Sequence, residues 1–125
     1  MDEIELKYTN VVSEILITLG VFPKYAGFSY LKNGILYAIK YPEAVNNLSK
    51  DFYPKVATLC NTSVGKLQSG IRNVLDVIYD RGYVKKINSV FGFKVVGEND
   101  KLTSSEFIAL LSNEFLINKM LRKYG

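Results

Sequence analysis

Apolar residues recur at three- and four-residue intervals along most of this chain, in blocks separated by proline, glycine or small polar residues. That period marks amphipathic helices. Ile4, Tyr8, Val11, Val12, Ile15, Leu16 and Leu19 predict a first helix over 4–19, with Gly20 as its C-terminal cap. Pro23 opens a second block, Tyr25, Phe28, Leu31, Ile35, Leu36 and Ile39. Gly27 and Gly34 lie inside this helix; they lower its intrinsic propensity and allow another helix to pack closely. Pro42 starts a short third helix through about Leu48, because proline is tolerated in a first turn.

The segment "DFYPKVATLCN" follows. Asp51 is placed as its N-cap and Pro54 in its first turn, and Val56, Ala57, Leu59 and Cys60 give it an apolar face. It ends at Asn61, a residue that tolerates the left-handed conformation. Next comes a long helix over about 63–81, capped by Thr62 or Ser63 and stopped by Gly82. "VKKINSVFG" predicts another short helix, and "FKVVGENDK" a loop, or one short strand and a turn. "TSSEFIALLSNEFLINKMLRKY" predicts one long final helix, with Thr103 and Glu106 at capping-box spacing. Phe107, Leu110, Leu111, Phe115 and Leu116 form its expected buried stripe, and Arg122 and Lys123 complement its C-terminal dipole. The expected fold class is all-α: a single domain over 1–125, a compact bundle of about six or seven helices with an embedded helix-turn-helix at about 52–82.

On a helical wheel, Val64, Leu67, Ile71, Val74, Leu75 and Ile78 fall within an arc of roughly 100°. The opposite side carries Lys66, Gln68, Ser69, Arg72, Asn73 and Asp76, and its only acid lies toward the C-terminal half. Such a polar face is either a solvated surface or a reading surface.

Composition narrows the choice. The chain has no histidine and a single cysteine, so zinc and most transition metals lose their usual ligands, and a histidine general base or triad is impossible. No cofactor site or catalytic constellation is visible, and an enzyme is not expected. Cys60 has no partner for an internal disulfide, which fits a reducing cytoplasm, and it reads as a small buried hydrophobe. No apolar run approaches the ~20 residues of a membrane span, and no secretory signal follows Met1. The net charge of +4 is unevenly spread. Residues 1–22 hold one basic residue against four acidic ones; residues 61–96 hold six against two. Positive charge therefore gathers around the long polar-faced helix, as expected of a surface aimed at a polyanion.

A short helix, a tight turn and a second helix entering the major groove is the plan of a helix-turn-helix. Within that plan Gln68, Ser69 and Arg72 are candidates for base reading, since Arg pairs bidentately with guanine and Gln with adenine. Lys55, Thr62, Ser63, Lys66, Asn73, Lys85 and Lys86 are candidates for phosphate contact. Nine tyrosines and seven phenylalanines are read mostly as core.

The chain also resembles the C-terminal DNA-binding domain of the stage zero sporulation protein A family, over roughly Val11 to Leu116. The resemblance rests on "EILITLGVFPKYAGFSYLKNGI", "YPKVATLCNTS", "IRNVLDVIYDRG", "INSVFGF" and "LTSSEFIALLSNEF", dispersed matches in the family's order. It implies an all-α fold and a bacterial, cytoplasmic transcriptional regulator that binds a promoter site in duplex DNA. It implies self-association on tandem sites, and contact with RNA polymerase or another regulator. Two departures stand out. Family members carry a receiver domain, whereas only about ten residues precede the match here; if Met1 is the true start, aspartyl phosphorylation is not the switch, and if the chain is an excised domain that question is open. The family's reading helix usually has Glu-Arg where this chain has Gln68-Ser69, and Arg where it has Lys66; Arg72 matches. The expected target is thus a related but altered site. The alternative is a protein-interaction module of the same fold that binds another regulator and has lost specific DNA binding.

Overall fold

In a computed structural model, residues 2–82 and 84–122 are described. Among them every regular element is helical. Seven α-helices run α1 (Glu3–Thr18), α2 (Ala26–Lys40), α3 (Tyr53–Leu59), α4 (Val64–Asp80), α5 (Val84–Phe91), α6 (Ser104–Leu111) and α7 (Glu114–Leu121). A 3-10 turn at Pro42–Asn46 and a π-helical turn at Leu48–Phe52 join α2 to α3. None of the described helices is long and apolar enough to cross a membrane.

The second helix is the axis of the packing: α1, α3, α4 and α6 all lie against it. Its two glycines make this possible. A methyl group on Gly34 would lie 2.9 Å from Cζ of Phe52, a fully buried ring, and one on Gly27 would press into Val74 of α4. The core runs through every helix, from Val11, Ile15 and Leu16 of α1 to Leu116 and Ile117 of α7. No described polar side chain is fully buried, so apolar burial carries the stability.

Helix ends follow the expected chemistry in most places. The first helix closes in a Schellman motif: Val21 N donates to Leu16 O and Gly20 N to Ile17 O, with Gly20 at φ 87. Thr103 and Glu106 form a full capping box at α6.

Four expectations need correction. The long final helix is two helices: Asn113 leaves the helical conformation and its side chain accepts from Phe115 N at 2.9 Å, starting α7 afresh. In an unbroken helix Phe115 would follow Leu111 onto the core face. The break turns it outward, 51% exposed, against Phe93, and puts Leu116, Ile117 and Met120 inside. Asp51 is not an N-cap. The π-helical turn feeds straight into α3 with Phe52 already helical, and the Asp51 carboxylate instead accepts from the Tyr37 hydroxyl at 3.4 Å. The third helix is a 3-10 turn followed by the π-helical turn. Leu59 points to solvent, while Cys60 is only half-buried and accepts from Asn33 Nδ2 at 3.5 Å. The 93–101 segment is a loop. Lys123 lies outside the described residues.

Candidate nucleic-acid interface

The turn between α3 and α4 is fixed by backbone bonds. Thr62 N donates to Ala57 O at 3.0 Å and Asn61 N to Thr58 O at 3.1 Å, a second Schellman motif. Asn61 takes the left-handed conformation, φ 52, which asparagine accepts more readily than most residues. Two residues later Ser63 is extended, and its hydroxyl accepts from Lys66 N at 3.2 Å, capping α4. Ala57 and Val56 of α3 and Leu67 and Ile71 of α4 are all buried, so the two helices share one apolar seam.

That seam decides what α4 shows to solvent. Leu67, Ile71, Leu75 and Ile78 are buried; Val64 and Val74 are half-buried. Lys66, Ser69, Arg72, Asn73 and Asp76 are exposed, and Gln68 is half-buried. At about 100° per residue, Ser69 stands farthest from the core. Gln68 and Arg72 flank it on one side, Lys66 and Asn73 on the other. Arg72 borders a cleft with Tyr79, Lys101 and Ser104. Burial raises the Tyr53 pKa, while its hydrogen bond to Ser104 and the nearby Arg72 guanidinium pull the other way, which places that cation beside the start of α3. Arg72 makes no ion pair with Asp76 among the described residues, so the helix does not neutralise it. Asn73 borders the opposite cleft, with Gly27, Val77 and Arg81.

The phosphate candidates divide. Lys55 is exposed on the first turn of α3 and Lys66 on that of α4, a few residues either side of the turn. Ser63 serves first as the cap. Thr62 is half-buried, its backbone N–H is taken by Ala57, and its hydroxyl lies 3.3 Å from that of Tyr30. Lys85 is drawn to Glu98 at 3.1 Å, an exposed pair that ties it to the loop after α5 rather than to α4. Lys86 is exposed on the same helix.

Tyr30 is absent from the sequence-derived site, since it stands outside α2's apolar stripe and 32 residues from Thr62. Its ring lies against the backbone of Gly70, where a methyl group would come within 2.6 Å of Cδ2. Gly70, in the middle of α4, leaves the room for this approach.

The family model described as "Sporulation initiation factor Spo0A C terminal" matches residues 12–115. The chain belongs to this family. The match begins in α1 and ends in α7, so it takes in the whole α3–turn–α4 unit. The Spo0A C-terminal family is one of DNA-binding effector domains of a sporulation regulator, not of enzymes.

Proposed function

We propose that this chain is a sequence-specific binder of duplex DNA that regulates transcription, with α3, its turn and α4 acting as a helix-turn-helix and α4 entering the major groove. The observation that carries the reading is the exposed face of α4. Lys66, Ser69, Arg72 and Asn73 project from a helix held on its opposite side by a buried seam. Membership of a DNA-binding family supports it independently.

Within this reading Ser69 and Arg72 meet base edges, and Gln68, partly enclosed, reaches them from the same flank. Lys55, Lys66, Asn73 and the Thr62–Ser63 turn meet phosphates on either side. Lys85 joins them only by giving up Glu98, an exposed pair that is cheap to break. Lys86 takes a flanking phosphate. Residues 1–125 act as one domain that self-associates on tandem promoter sites in the bacterial cytoplasm, and RNA polymerase or a second regulator is its protein partner.

Selection of bound sequences from a random duplex pool, followed by titration at several salt concentrations, tests the reading. A recovered consensus with affinity at least ~1000-fold above random duplex supports it. Recovery of no consensus, with a protein partner retained by the same fold, would instead favour an interaction module.

A further inference from the structure

Tyr30 touches the α3–α4 unit twice. The edge of its ring, at Cδ2 and Cε2, packs against α4 at Gly70, where no Cβ intervenes. Its hydroxyl, one ring length away, lies 3.3 Å from Oγ1 of Thr62 in the turn. The neighbouring turn of α2 adds Asn33, whose Nδ2 donates to Cys60 Sγ at 3.5 Å. One face of α2 therefore holds both the turn and the helix that follows it.

Thr62 has little freedom left. Its N–H is committed to Ala57 O, and Asn61 before it is fixed in the left-handed conformation. The direction of its hydroxyl proton is open, and either oxygen of the Tyr30–Thr62 pair can donate to the other. The phenol is the more acidic hydroxyl and the better donor. When it donates, the Thr62 proton is released to point outward, and the donated bond polarises it.

We propose that Tyr30 is a positioning residue for DNA backbone recognition: its hydroxyl donates to Thr62 Oγ1, so that the Thr62 hydroxyl donates to a phosphodiester oxygen at the edge of the groove. The proposal rests on the DNA-binding reading above. It extends the site to α2, a helix that places no other side chain on the turn's hydroxyls among the described residues. The contact is sequence-blind, because every nucleotide carries the same phosphodiester. It releases no counterion, because a neutral hydroxyl leaves the charge of the phosphate in place.

The test is a double-mutant cycle of Tyr30→Phe and Thr62→Val, read as affinity for the selected duplex and for random duplex. Measurements are made at a temperature where thermal denaturation shows each variant fully folded. Tyr30→Phe keeps the ring on Gly70 and removes only the hydroxyl. Thr62→Val leaves the ring's seat untouched, so it probes the relay from the other end even if Tyr30→Phe folds poorly. The expected loss is about three- to ten-fold for Tyr30→Phe and about ten-fold for Thr62→Val. Losses should be equal on both duplexes, with an unchanged salt slope, and the double variant should be no weaker than Thr62→Val alone. A purely structural role would lower the melting temperature and leave the affinity of the folded protein as it was.

Wild-type affinity retained in folded Tyr30→Phe overturns the relay and leaves DNA binding standing, as do losses that multiply in the double variant. A wild type that binds no duplex overturns the DNA-binding reading, and the relay with it.

Discussion

Gly27 of α2 passes Gly70 of α4 so closely that a methyl group on the first would lie 3.0 Å from the carbonyl oxygen of the second. The same methyl would press into Val74. This crossing sets the angle at which α4 leaves the body of the protein, and the angle sets which of its side chains face outward.

Gly27→Ala should therefore destabilise the fold despite alanine's better helix propensity. Forcing an extra carbon into a packed crossing costs about 1–3 kcal/mol, and the gain in propensity recovers at most about 1 kcal/mol of it. Chemical denaturation should show a lower midpoint at unchanged slope. DNA affinity should fall as well, because α4 must tilt or shift to make room. A midpoint equal to wild type would mean that the crossing relaxes without cost.

Arg72→Ala should lose about 1–3 kcal/mol of affinity for the selected duplex and relax preference at one base position. The guanidinium is exposed, unpaired with Asp76 and beside the start of α3, so its removal leaves the fold intact. A loss of the same size on random duplex would reassign Arg72 to phosphate.

Lys55→Ala should weaken every sequence alike and reduce the salt slope by about 1. Lys85→Ala is the informative contrast. With its ammonium already 3.1 Å from Glu98, its loss should change the slope less. Equal slopes for the two variants would show that the Lys85–Glu98 pair opens on DNA.

Periodicity made most of the fold legible, because burying one face is what a 3.6-residue repeat does. The stripe of α4 and its limits at Ser63 and Arg81 are where the sequence places them. Caps that use one side chain and one nearby N–H, as at Thr103, were legible for the same local reason. The Asn113 break was not, since Ser112-Asn113 sits inside an unbroken apolar rhythm and only the inward turn of Leu116 and Ile117 favours it. Within the site, exposure along α4 follows from its wheel. The Tyr30–Thr62 contact joins positions 32 apart, and no local pattern encodes such a pairing.

Asn88 is the only side chain bonding residues 95–96 of the loop after α5, among the described residues. Its Oδ1 accepts from Val95 N at 2.7 Å and Val96 N at 3.0 Å, and its Nδ2 donates to Val96 O at 2.8 Å. In effect it replaces a strand partner for residues 95–96 and holds Val96 in the core. Asn88→Ala should cost about 2 kcal/mol, since these partly buried backbone groups lose their partner together. Hydrogen exchange at Val95 and Val96 should rise sharply, while affinity for the selected duplex stays within two-fold, on the order of the ~0.4 kcal/mol that RT sets. An unchanged midpoint would show that water replaces the amide.

Tyr79 ties α4 to the entry of α6 by accepting a hydrogen bond from Leu102 N. Burial, reinforced by the negative charges of Glu106 and Asp100, pushes its pKa up to about 12 from 10.0. The folded state therefore holds this proton over a range in which the unfolded chain has lost it. Its contribution to stability is complete below pH 10.0, the unfolded value, and is lost as pH rises from there through about 12. Tyr79 should thus titrate late in a phenolate absorbance titration of the folded protein. Tyr79→Phe should remove that late step and flatten the alkaline fall of the unfolding free energy, while lowering stability at neutral pH through the lost bond to Leu102. An alkaline fall as steep in Tyr79→Phe as in wild type would assign the effect to other tyrosines.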